Sequence, residues 1–311
     1  MYRVLYGGIN LLNRIRDNIF WIILVTFVFY IVISSVFESY VITPLLLTLG
    51  YKFDVSAGMN FVLDMYTGTI ASVIILFILC RIFPKNRSIW STFTLKDSGN
   101  TWKKLFIGLG LGFLTNFICI IIALCHGDLK FSFDASIKML PLMSFALFSV
   151  FIQSSSEEMW CRGFMYERLN VRYPLWLAIV VNGSIFGLLH IFNEGVTVLA
   201  IADIIICGIS YSLLRWYTRS MWVAMGIHTM WNFTQNFIFG LPNSGLVSEV
   251  SIFRLNAVNG ISNLIYDYKF GIEGAVPAVA VDMLLGITII YLAKCAGRLR
   301  ELLSKNQPVE I

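Results

Sequence analysis

Apolar residues run through this chain in long unbroken tracts, with none of the short polar–apolar alternation of a membrane barrel. A helix crossing a bilayer needs about 20 mostly apolar residues. That window places helices at Ile19–Val36, Phe61–Phe83, Leu105–Cys125 and from Leu140 through the Glu157–Glu158 pair. Four more fall at Leu175–Phe192, Val196–Trp216, Trp222–Phe239 and Ala275–Ala296. The run "VITPLLLTLG" is too short to span, and either extends the first helix or lies at the surface.

The basic positions test this count. Arg81, Lys85, Arg87, Lys96, Lys103 and Lys104 fill one connection; Arg162, Arg168 and Arg172 follow the fourth helix; Arg215 and Arg219 follow the sixth. Lys294, Arg298, Arg300 and Lys305 come last. The alternate connections hold fewer: Lys52, then Lys130 and Lys138, then none, then Arg254 and Lys269. Lysine and arginine gather on the cytoplasmic side of membranes, so the alternation predicts eight spans with both termini cytoplasmic. The basic residues of the first twenty positions precede a full-length span with no small-residue cleavage site. They read as a cytoplasmic lead-in rather than a cleaved signal.

Composition agrees. Of 311 residues, 58% are hydrophobic and 13% charged, and the mean hydropathy is +0.77, where a soluble domain carries about 25% charge. The expectation is an all-α polytopic membrane protein whose residues 1–311 form one membrane domain. No basic cluster with interleaved aromatics suits nucleic acid. Six scattered cysteines form neither a CxxC pair nor a disulfide framework. The connection Gly240–Gly274 carries turn signals, "LPNSG" and "NAVNG", and reads as a lid or a plain loop.

Against this background "SSSEEMWCR" stands out, because ionisable groups at membrane depth are costly. On a helix, Glu158 and Arg162 share a face at four-residue spacing, while Glu157 is turned by about 100°. Glu158 therefore pairs with Arg162, and Glu157 is aimed elsewhere; at a helix end the same trio is an ordinary surface ion pair. In "NGSIFGLLH", Asn182, Phe186 and His190 recur every four residues; in "HTMWN", so do His228 and Asn232. Alone, each reads as interior hydrogen bonding between helices. Together they hold two of the chain's three histidines. The midpoint between Glu157 and His190 falls at Tyr173–Pro174, so a hairpin about "NVRYP" sets both at similar depth. Such a set suits peptide hydrolysis: Glu157 as base and proton carrier beside His190, with His228 and Asn232 as oxyanion donors. Asn182 is an orienting neighbour of His190 or a structural amide. Asp203 and Asp282 either line the cavity or, the favoured reading, serve structurally as caps or near the interface; His126 reads as solvent-exposed, and Trp222 and Trp231 as interface or packing aromatics.

The ordered motifs EExxxR, FxxxH and HxxxN, here "EEMWCR", "FGLLH" and "HTMWN", resemble the CPBP family: the CAAX proteases and bacteriocin-processing Abi enzymes. The likeness spans about Ser154 to Asn236. It implies an eight-helix bundle, a polar cavity open towards the cytoplasm, Glu157 activating water with help from His190, and His228 and Asn232 as the oxyanion site. Glu158, Arg162, Phe186 and Asn182 would be supporting residues, with no cofactor and no metal. Cys161 stands where members often carry Phe, and "FGLLHIFN" looks more like the bacterial branch. The implied protein is a multi-pass intramembrane endopeptidase of a bacterial cell membrane. It would act on a small peptide or a membrane-associated protein, as in bacteriocin processing or immunity. A zinc-dependent variant ranks lower, since HExxH is absent. The alternatives are a non-catalytic membrane regulator that binds a partner such as a sensor kinase, and, third, a proton-coupled transporter.

Overall fold

The computed structural model describes residues 18–48, 57–83, 86–95, 99–132 and 140–304. The N-terminal lead-in and Lys52, Lys85, Lys96, Lys138 and Lys305 lie outside them. Each of the eight predicted tracts falls on a helix. These are α1 (Ile19–Leu45), α2 (Ala57–Ile82), α4 (Trp102–His126), α5 (Leu140–Glu158), α7 (Leu175–Leu188), α8 (Val198–Thr218), α9 (Met221–Phe233) and α10 (Val276–Cys295). A short α3 (Arg87–Ser91) precedes α4, and α6 (Tyr166–Arg172) continues α5 through a π-helical stretch, Met159–Met165. Within the run "VITPLLLTLG", helical backbone carries on beyond α1 as far as Thr48. Among the described residues, four helices (α1, α4, α8 and α10) are by themselves long and apolar enough to cross a membrane. Their outer faces stay apolar and uncovered, as at Phe106 (66% exposed) and Leu284 (64%). The protein is an all-α, multi-pass membrane protein.

Local chemistry ends the helices where the sequence demands it. Tyr173 precedes Pro174, whose ring disfavours helical backbone at the residue before it, and Tyr173 is extended at φ −111°, ψ 155°. α6 therefore stops at Arg172, and the chain reverses into α7 about the predicted turn. Thr101 and Thr197 accept hydrogen bonds from the Lys104 and Ala200 amides, capping α4 and α8. At the other end of α8, cations meet the orphan carbonyls. Lys104 Nζ donates to Thr218 O at 2.8 Å, and Arg298 Nη1 to Tyr217 O at 2.8 Å.

Two glycine-lined crossings hold the bundle together. A Cβ at Gly112 of α4 would stand 2.2 Å from the Ile227 carbonyl of α9, so only glycine fits there. On α7, a Cβ at Gly183 would lie 2.7 Å from the Ile209 amide of α8. Small residues one turn apart (Gly108 and Gly112; Gly183 and Gly187) let helix backbones meet in a medium where apolar surface alone gives no drive to associate.

The connection Gly240–Gly274 is a packed cap. Within it β2 (Arg254–Ala257) pairs antiparallel with β1 (Leu129–Ser132), Leu129 opposite Ala257. Leu241, Leu255, Tyr266 and Ile272 bury themselves against Cys119, Ile120 and Ala123 of α4 and Trp231 of α9. Asn236 ties it further, donating to the Leu241 and Leu246 carbonyls.

One predicted boundary is corrected. The fifth helix ends at Leu188, and His190 sits in the following turn. The His190 amide bonds to Gly187 O at 3.0 Å, and its ring Nδ1 takes Phe186 O at 2.9 Å. That carbonyl is the one a continuing helix would have given to the His190 amide. The side chain has replaced the backbone donor, and the helix unwinds there.

Candidate active site

Helices α1, α5, α7, α8, α9 and α10 and the cap line a cavity of about 290 Å³. Glu157, His190, His228 and Asn232 all face it, together with Phe186. The hairpin does bring Glu157 and His190 to one chamber, but the ring directly beside the glutamate is His228. Its Nε2 lies 3.8 Å from Glu157 Oε2. Gln153, one turn earlier on α5, donates its amide to Glu157 Oε1 and fixes that carboxylate.

Glu158 does more than pair with Arg162. Both are fully buried. Its Oε1 meets Arg162 Nη1 at 3.0 Å and His228 Nδ1 at 2.9 Å. A carboxylate only accepts, so His228 carries its proton on Nδ1 towards Glu158 and turns Nε2 to the cavity. By the same logic His190 carries a proton on Nδ1 towards the Phe186 carbonyl, and its Nε2 is free. The Phe186 ring is the hub of this wall. Arg162 Cζ stands 4.0 Å from its centre, and the His190 and His228 rings meet it edge-on at 5.0 and 5.9 Å. Glu158 Oε2 and Arg162 Nε and Nη2 have no further hydrogen bond.

Asn182 supports the helix frame rather than His190. Its Nδ2 donates to the Cys161 carbonyl in the π-helical stretch, and its Oδ1 accepts from Ser212 Oγ at 3.1 Å. Asn232 is loosely held: Nδ2 to Ser154 Oγ at 3.4 Å, and Oδ1 from Asn243 Nδ2 at 3.3 Å. Contacts that long are readily exchanged for a ligand. Cys161 lines the chamber beside Glu157, as its position in the motif suggested.

Several lining residues escaped the sequence reading. The cap sends in Asn243, Ser244 and Glu273. Glu273 receives Trp231 Nε1 at 3.0 Å, Asn243 Nδ2 at 2.7 Å and the Ser244 amide at 2.7 Å. Burial pushes its carboxyl above the usual range, and these hydrogen bonds pull it back. "LPNSG" was legible as a turn, but its return into the bundle was not. Asp203 and Asp282, read as structural, also face the chamber. His126 is exposed and bonded to Asp128, as expected. Trp231 is buried but lines the chamber and bonds Glu273, and Trp222 donates to the Phe93 carbonyl. Among the described residues, no three His, Cys, Asp or Glu side chains are placed to hold a metal ion.

The fold and chamber define a polytopic helical membrane protein with a buried polar site. Residues 139–234, which carry that site, match the family described as Type II CAAX prenyl endopeptidase Rce1-like. This is the protease family, CPBP, that the three motifs resemble. The chain is also similar to the uncharacterized protein YyaK of Bacillus subtilis (strain 168), 28% identical over 182 residues. That alignment covers 53% of this chain and 58% of YyaK, so the chain spans a little over half of that relative's length.

Proposed function

We propose that this protein is an intramembrane endopeptidase of the glutamate type, cleaving a small peptide or membrane-associated protein in a bacterial cell membrane. One observation carries the reading: Glu157 stands in a polar chamber within the bundle, 3.8 Å from His228 Nε2, with His190 and Asn232 on the same lining.

In this mechanism Glu157, oriented by Gln153, takes a proton from water as the oxygen attacks the scissile carbonyl. The free Nε2 of His190 accepts from the same water. The developing oxyanion is met by Asn232 Nδ2 and by His228 Nε2, whose donor role requires protons on both ring nitrogens, the Nδ1 proton being committed to Glu158. Glu157 then passes its proton to the departing amine. Apolar walls strengthen each of these electrostatic contacts by excluding water. Bacteriocin maturation and self-immunity are the uses that the motif resemblance suggests.

The test compares membrane and secreted peptides of cells bearing the wild-type chain and Glu157→Gln. A peptide that accumulates unprocessed only in the variant supports the protease and identifies its substrate. Identical peptide profiles with the cellular effect retained would establish a non-catalytic regulator instead.

A further inference from the structure

Two carboxylates on the far side of the chamber lack what every other buried acid there has. Glu158 is bonded to Arg162 and His228, and Glu273 to three neighbours. Asp203 on α8 and Asp282 on α10 are each 1% exposed. Neither oxygen of Asp282 receives an N–H or O–H hydrogen bond, and neither does Asp203 Oδ1. The Cys207 thiol interacts with Asp282 but is a weak donor. The two acids interact electrostatically, with Glu273 as a third negative neighbour. No lysine or arginine is among the described lining residues.

Holding an ionised carboxylate away from water with no partner is strongly unfavourable. A carboxylate serving the frame gathers donors, as Glu273 does. Asp282 is meanwhile fixed in place, because Ser210 Oγ of α8 bonds its backbone carbonyl at 2.8 Å. The side chain is thus positioned but unsatisfied, beside the aromatic ring of Tyr211 and in the same chamber as Glu157.

We propose that Asp203 and Asp282 form a cation-binding subsite that receives the lysine or arginine side chain of a substrate close to the bond being cleaved. This rests on the protease reading for its purpose, but not for its detection. The aliphatic stem of such a side chain lies along Tyr211 and Trp231, and its charged head meets both carboxylates. A guanidinium matches the pair best, since its several N–H groups spread over two acceptors.

The experiment uses the full chain purified in detergent and reads thermal stabilisation by butylguanidinium and by its neutral isostere butylurea. Butylguanidinium stabilises wild type saturably and butylurea does not. Asp282→Asn, or Asp203→Asn as a second variant, weakens guanidinium binding about 10- to 100-fold, the range for hydrogen bonds to charged groups. Glu157→Gln retains binding. Equal responses to the two probes, or binding unchanged in both aspartate variants, overturns the subsite and leaves a neutral carboxyl pair of the frame. Among peptides cleaved by wild type but not by Glu157→Gln, lysine or arginine recurs at one position, and Asp282→Asn removes that preference. Guanidinium binding without any Glu157-dependent cleavage would keep the subsite and sink the protease.

Discussion

The two sides of the chamber treat buried charge in opposite ways. On the side built by α5 and α9, Glu158, Arg162 and His228 form one connected group covered by the Phe186 ring. On the side built by α8 and α10, Asp203 and Asp282 lie about as deep, with Asp203 Oδ1 and both oxygens of Asp282 receiving no N–H or O–H hydrogen bond. In the first arrangement each charge meets an opposite or hydrogen-bonding partner, although Glu158 Oε2 and Arg162 Nε and Nη2 stay without one. The second has no cation beside it among the described lining residues, which is the basis of the proposed subsite. Burial alone therefore does not tell a structural acid from a binding one; its partners do.

The sharpest way to break this comparison is to make the first side resemble the second. Arg162→Met leaves Glu158 buried without its cation and is expected to cost about 3–5 kcal/mol, read as a lowered unfolding temperature in detergent. Adding Glu158→Gln to it recovers part of the loss. If the single variant melts like wild type, the pair is not a support. Next in size, if the proposed mechanism holds, Asn232→Ala loses an oxyanion donor and the hydrolysis rate is expected to fall by about 10²- to 10³-fold with the fold unchanged, measured on the substrate that the Glu157→Gln comparison reveals. A smaller effect follows from Gln153→Ala. Losing a hydrogen bond worth about 1 kcal/mol slows turnover about fivefold, because the Glu157 carboxylate is no longer held in place.

The smallest effect lies outside the bundle and serves as a control on both sides. Glu301 accepts from Arg298 Nε at 2.9 Å and Nη2 at 3.0 Å, which holds its carboxyl below the ordinary 4.5. A depressed carboxylate stabilises the fold above its unfolded pKa and loses that contribution as pH falls through the folded one. The melting advantage of wild type over Glu301→Gln is therefore expected to be present at neutral pH and to vanish in acid, at less than about 1 kcal/mol. A pH-independent difference would refute the pairing.

Much of the fold was legible because its determinants are local. Twenty apolar residues in a row leave the backbone little choice but helix, and Tyr173–Pro174 breaks one where the chain must turn. Glu158 and Arg162 paired as their spacing required. The place where this failed is instructive. His190 reads as helical by its four-residue interval, yet its ring captures the Phe186 carbonyl and ends the helix. Nor does spacing tell which helix face meets which neighbour. Asn182 was aligned with His190 but serves Cys161 and Ser212, and the glycines that decide those approaches act between helices distant in sequence.

By itself, then, the sequence determined where the main apolar helices lie and which ionisable residues fall within them. Hydrophobic runs and four-residue intervals are short-range facts that a bilayer converts directly into structure. Only the tertiary structure decided that His228, seventy residues away, is the ring beside the Glu157–Glu158 pair, that the cap folds back onto the chamber, and that Asp203 and Asp282 stand there unsatisfied. Whether a buried group has a partner depends on packing between remote segments, and no local pattern encodes it.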